Sequence, residues 1–452
     1  MNETAKKLIE AVKNDLSPSL GVTEPGAIAY AAAAARSALG GSVRSVEVKL
    51  NSGVYKNSFT CAVPGADGMG CALAAALGAV CGDPDKKLTA VGNASPEDVA
   101  AAKKLVSSGR ARAELASVSP DIFIEATVET ENGKASALVS GRHDRLTKLT
   151  VNGTDAPISR TDDEKKEAPF RVSSVTFDDI LDCVENAEGL DFIERAVAMN
   201  LELYREGRRR GLMSLTEARE GFARNSGTTA RSLSDIITAG AIEARVRGAK
   251  APAMAITGSG SHGILCMLPV YEAAEYYGVG GGELIKKTGR DSRNDCSRAL
   301  LLSMLITMYI KENSGLLSTA CGCVLAGGTG ACLGITYLLA KNSIGSGAPC
   351  PDREGLKKTL TCALNSMAAS VTGMICHGGN TGCSLKAAVG VDMAYSAAEM
   401  AVMGMGAEPI HGILGATAEE TMQNMGRIAL DMLPVEKTIL EIMSCKSGQN
   451  LL

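Results

Sequence analysis

The 452-residue chain has no Trp, six Phe and nine Tyr. Platforms for stacking bases are therefore scarce. With 46 Lys and Arg against 50 Asp and Glu, no basic field exists to draw in a polyanion. Nucleic acid is not an expected partner. The opening residues lack the apolar run of a secretory signal, so a reducing cytoplasm is expected. In that setting the 14 Cys are reduced thiols, metal ligands or small core residues, not a disulfide framework. Membrane character is thin as well. Residues 313–340 and 359–385 carry no charge, but both are rich in Ser, Thr, Asn and Gly, and mean hydropathy is only +0.08. They read as buried helices of a soluble protein, with no membrane partner.

Glycine is what the chain has in excess, 50 residues, which implies close backbone approach in helix packing or ligand loops. Leu8, Ile9, Val12 and Leu16 have amphipathic helical spacing. Thr23 is placed to cap a second helix with Pro25 in its first turn. Val46, Val48 and Leu50 alternate as in a strand. Residues 70–81 read as a small-residue helix, and Ser95-Pro96-Glu97 opens another. Residues 122–129 and 135–140 flank Asn132-Gly133, a hairpin signal. Residues 160–169 form a charged linker ending in Pro. Beyond it nearly every segment has helical period: 176–186, 190–209, 228–247, 296–311, 316–339 and 354–371. The expected class is α+β, a mixed α/β domain over 1–160 followed by a mostly helical, Gly/Ala-rich catalytic domain over 170–452.

Three places carry residues suited to chemistry. Thr257-Gly-Ser-Gly-Ser-His-Gly263 reads as a loop before a helix, and its N–H groups and hydroxyls suit a carboxylate or phosphate. It matches neither a Walker loop nor a dinucleotide fingerprint, and a plain helix–helix turn explains it equally well. The thiols crowd into Cys321, Cys323 and Cys332, then Cys376 and Cys383 around a Gly-rich loop. The paired Cys-x-x-Cys of structural zinc is missing. Three thiolates on an iron–sulfur cluster would leave one iron open as a Lewis acid; small buried core residues are the other reading. Two of the four His, His262 and His377, fall inside these Gly-rich stretches. Near the N-terminus, Gly21-Val-Thr-Glu-Pro25 and Asn51–Asn57 read locally as a helix start and a polar turn.

Taken in order, these motifs resemble the L-cysteine desulfidase family of the UPF0597 type, relatives of the iron–sulfur L-serine dehydratase α subunit. Gly21-Val-Thr-Glu-Pro25 is similar to its Gly-Cys-Thr-Glu-Pro, and Tyr55-Lys-Asn57 and Val63-Pro-Gly65 to its next signatures. Gly258-Ser-Gly260 resembles its Gly-Ser-Gly-Asn loop, and Cys321, Cys376 and Cys383 its three cluster cysteines. The resemblance runs from about Leu16 to Ser444 and implies a [4Fe–4S] cluster on those thiols. It also implies β-elimination from a small amino acid without pyridoxal phosphate, giving pyruvate and ammonia. Thr23, Asn57, Ser259, Gly260 and Ser261 are then the expected substrate-binding residues, and Glu24 and Lys56 the expected catalytic ones.

Three positions depart from the pattern. Val22 stands where the family has Cys, Ser261-His262 where it has Asn and another polar residue, and His377 where it has Asp. The changes point to an altered substrate, and to His262 or His377 as the proton-transfer group, since an unperturbed imidazole titrates near pH 6.5. A lyase acting on another small acid and a non-catalytic iron–sulfur sensor are the alternatives. A small amino acid is the expected partner, and the chain is expected to permit a homodimer.

Overall fold

The Asn2 side chain accepts a hydrogen bond from the Ala5 N–H at 2.7 Å and starts α1 (Glu3–Asp15), whose Ala5, Leu8, Ile9 and Val12 form one buried face. This computed structural model describes residues 2–158, 170–279, 294–345, 347 and 349–446. The linker expected at 160–169 lies outside the described residues. Strand β1 (Ser17–Leu20) passes through Gly21, at φ +64°, into α2 (Thr23–Leu39). The helix cap is Val22, not Thr23 as expected. Thr23 is already helical, and its hydroxyl is engaged by Ser19 and Arg245.

Strand β2 (Val43–Asn51) runs into α3 (Ser52–Ser58), followed by α4 (Cys71–Cys81) and α5 (Pro96–Ser107), the last held by a Ser95–Asp98 capping box. Then come β3 (Ala111–Ser117), β4 (Phe123–Thr130), β5 (Gly133–Ser140), β6 (Leu146–Val151) and β7 (Thr154–Asp155). The sheet order is β3-β2-β4-β5-β6-β7, with β2 and β3 parallel and the other pairs antiparallel. The β4–β5 turn is Glu131-Asn132, one residue earlier than expected, since Thr130 pairs with Gly133. Val46, Val48, Leu50, Ile124, Ala126, Val128, Ala137 and Val139 point to one face, where α2 and α4 cover them. Alanine and glycine let those two helices nearly touch: a Cβ on Gly78 would lie 2.2 Å from the Ala29 carbonyl oxygen.

A second core is helical. It is built from α6 (Phe177–Glu185), α7 (Asp191–Arg209), α8 (Ser214–Ser226), α9 (Ala230–Val246), a short β8 (Pro252–Ala255), α10 (Gly260–Tyr277) and α11 (Asp295–Ser314). A π-helical turn, Cys323–Gly328, continues into α12 (Thr329–Lys341), and α13 (Arg353–Val371), α14 (Gly382–Val402), α15 (Ala418–Asp431) and α16 (Leu433–Lys446) follow. The single helix expected over 316–339 does not form. Ala320 is drawn into a bridge with Ile375, and winding begins only around Cys323. Cys323–Lys341 is long and apolar enough to cross a membrane, but 94% of its apolar window is buried in this core.

The fold is therefore α+β. Its apolar cores share out the N-terminus in a way the 1–160 and 170–452 ranges do not describe. The face of α1 packs into the helical core. Strand β1 pairs antiparallel with β8, from Ser17 opposite Ala255 to Leu20 opposite Pro252. This ribbon carries the start of α2 to the start of α10.

Candidate functional site

From the sheet-bearing part come α2 and α3. Glu24 lies in the first turn of α2, where an acidic residue complements the helix dipole, and is buried. Its Oε1 accepts from Asn57 Nδ2 at 2.7 Å. Lys56, one residue before, is 1% exposed and donates to Glu436 Oε2 of α16 at 2.6 Å. Burial alone would lower the Lys56 ammonium; the negative charge of Cys376 and Glu436 outweighs it and holds the group above its ordinary value.

The cysteine segments meet this wall. Cys321 N–H donates to the Met374 carbonyl and Cys376 N–H to the Thr319 carbonyl, each at 2.7 Å, so two extended stretches lie side by side and bring Cys321 toward Cys376. Cys376 Sγ is 3.6 Å from Asn57 Oδ1. The loop after Cys376 seats on α3, where Gly379 N–H donates to the Asn57 carbonyl at 3.1 Å. Only glycine fits here. Gly378 has φ +102°, and a Cβ on it would lie 2.6 Å from the Lys56 carbonyl oxygen. A Cβ on Gly379 would lie 3.2 Å from Val22 Cγ1, so Val22 forms the floor under this loop. Cys383 opens α14, with Sγ 3.3 Å from the Gly378 carbonyl oxygen.

The thiols feel one another. Burial, then the charges of Cys376 and Cys321, push Cys383 up to about 12. Cys321 and Cys323 oppose one another: the neighbouring Cys323 thiol lowers Cys321, and Cys321 in turn raises Cys323. Among the described residues no three His, Cys, Asp or Glu side chains are gathered tightly enough to hold a lone metal ion. A multi-iron cluster is itself several bonds across, so its thiolates stand around it instead of converging on a point. The soft all-sulfur set, with the buried ammonium of Lys311 close by, fits such an anionic cluster in chemistry and in charge.

The third wall is α10. The turn after β8 uses Thr257 at φ +51° and Gly258 at φ +72°, and the helix starts at Gly260. Ser261, His262 and Gly263, expected in a flexible loop, are thus buried in its first turn. Thr257 Oγ1 donates to the Ile256 carbonyl at 2.7 Å and stands 2.6 Å from His262 Nδ1, where it accepts. That arrangement assigns the imidazole proton to Nδ1 and leaves Nε2 bare. Nε2 points at Gly322, where an added Cβ would lie 2.7 Å from it and 3.5 Å from Lys311 Nζ. His262 is not poised near neutrality as expected. Burial, then the charges of Lys311 and Arg245, hold its pKa well below the ordinary value.

His377 is exposed, with Nδ1 3.2 Å from Asn380 Nδ2. Ser259 caps α10, with Gly260 next in line. Ser261 Oγ accepts from Arg245 Nη1 at 2.7 Å, and Thr23 Oγ1 accepts from Nη2 at 3.0 Å. Four residues of this site carried no sequence signal: Arg245 on α9, Lys311 on α11, Glu436 on α16, and His143 from the β5–β6 connection. Lys311 donates to the Gly315 and Leu316 carbonyls at 2.6 and 3.1 Å, and burial lowers it to about 8.

The sequence model of the serine dehydratase alpha chain family matches residues 85–441. The chain is 33% identical over 451 residues to a UPF0597 protein of Clostridium botulinum (strain Langeland), covering 96% of this chain and 98% of that one. It is 32% identical over 447 residues to a UPF0597 protein of Caldanaerobacter subterraneus, covering 96% and 97% of the two chains. A UPF0597 protein of Geobacter sulfurreducens is 33% identical over 445 residues, with the same coverage. No solved structure matches.

Proposed function

The chain belongs to the serine dehydratase alpha chain family, and from that premise we propose that it is a [4Fe–4S] lyase that eliminates the β-substituent of a small amino acid, giving pyruvate and ammonia. The observation that carries the reading is the meeting of Cys321, Cys323, Cys376 and Cys383 with Lys311, Glu24, Asn57 and His262 at one buried junction. Cys321, Cys376 and Cys383 would hold the cluster, which supplies a Lewis acid for the departing β-group.

His262 is the proton acceptor of this reading. Burial keeps it neutral, its Nδ1–H is fixed by Thr257, and Nε2 faces the gap beside Gly322. Taking the α-proton makes an imidazolium beside Lys311, which is unfavourable until an anionic substrate enters; proton abstraction is thereby tied to binding. Asn57, locked to Glu24, presents Oδ1 to Cys376 and fixes the wall against which the substrate lies. All 14 Cys are unpaired, which suits a reducing cytoplasm. Val22 is an apolar floor and handles no proton, in keeping with a β-hydroxy or similar substrate in place of a thiol.

The test is anaerobic purification, an iron and sulfide assay, and a panel of β-hydroxy and β-thiol amino acids scored for pyruvate and ammonia. Iron with no product from any member would leave the sensor reading in place of the lyase.

A further inference from the structure

Arg245 lies at the end of α9 and is 3% exposed. Its guanidinium has two hydroxyl partners, Ser261 and Thr23, and its Nε has none. Among the described residues no carboxylate stands within ion-pair distance of it. Glu24, in the same first turn as Thr23, is engaged by Asn57. A buried guanidinium without an anion is costly, and two hydroxyls do not neutralise it. The surroundings add to the deficit. Thr23 and Ser261 sit in the first turns of α2 and α10, whose free N–H groups favour negative charge. His143, 7% exposed, lies against Gly258, and its Nε2 has no partner. Lys311 faces the thiols; Arg245 faces two helix starts.

We propose that Arg245, held between Thr23 and Ser261, is the seat of the substrate α-carboxylate and restricts the site to small carboxylic acids. The identity of the acid rests on the lyase reading; the need for a carboxylate rests on the guanidinium. An entering carboxylate accepts from Arg245 and from the α10 N–H groups, and its charge offsets the two cations that otherwise disfavour a protonated His262. Arg245 therefore touches substrate, and the carboxylate that neutralises it also raises the proton affinity of the base.

The experiment is titration calorimetry on the anaerobically purified full-length protein with pyruvate, L-lactate and L-serine, and with uncharged pyruvamide. At least one acid binds, and pyruvamide binds at least tenfold more weakly than pyruvate. Arg245→Gln weakens the acids at least tenfold with pyruvamide unchanged, and Arg245→Lys, which keeps the charge but not the fork, falls between. Equal acid affinity in wild type and Arg245→Gln overturns the seat, as does equal affinity for pyruvate and pyruvamide or no binding of any acid. If Arg245→Gln fails to fold by circular dichroism, unchanged acid affinity in Arg245→Lys overturns it instead. Iron content and product release, measured separately, report on the lyase reading.

Discussion

Two imidazoles, His262 and His143, are buried and kept neutral, the first by burial and the charges of Lys311 and Arg245, the second by burial. An unfolded chain protonates them near pH 6.5, while the folded chain resists. The unfolded state therefore binds more protons below that pH, and stability falls as pH drops from about 6.5 toward the depressed folded values. The slope reaches about 1.4 kcal/mol per pH unit for each such His. Urea midpoints measured from pH 7 to 5 should decline, and His262→Gln should flatten the decline. At pH 7, His262→Gln should abolish turnover with iron content intact. The sequence singled out His262, with His377, as a proton-transfer candidate, but neither its burial nor that of His143 was legible there. Arg245 and Arg247 look alike as letters. Only tertiary packing makes the first buried, while the second is exposed and reaches inward to the buried Glu243 and to Ser214.

Elements place these side chains, and glycine decides how closely the elements approach. Gly322 separates Cys321 from Cys323 and leaves the gap in front of His262 Nε2. Gly322→Ala should displace that ring and cut turnover at least tenfold, with helical content by circular dichroism unchanged. Gly378→Ala meets both a backbone oxygen and a left-handed φ, so it should unseat the loop from α3 and lower iron retention. The helices were readable from their apolar period, as over 176–186 and 354–371; the structure adds the caps, Thr176 before α6 and Asp352 before α13. Strand β3 was not: Ala111, Ala113 and Leu115 do alternate with Arg112 and Glu114, but alanine is a poor strand former and the outer half of the strand is exposed. Residues 316–322 do not continue the helix that the apolar run of 323–339 extends over them; their pairing with 374–376 is a contact no local pattern encodes.

At the scale of the molecule, the site exists because the two cores are tied together. The β1–β8 ribbon joins them at one side, and Lys56–Glu436 joins α3 to α16 at another. Glu436→Leu leaves a buried ammonium unpaired and should destabilise the protein by about 3–5 kcal/mol, whereas Lys56→Met combined with Glu436→Leu should recover most of that loss. Denaturant midpoints of the two variants read it directly. The central claim is that the thiols at this junction hold a cluster. The most direct measurement is iron and acid-labile sulfide content, with the visible spectrum, of anaerobically purified wild type, Cys376→Ala and Cys445→Ala. The account predicts about four irons and a charge-transfer band in wild type and Cys445→Ala, and loss of both in Cys376→Ala. Full iron in Cys376→Ala, or none in wild type, would contradict it.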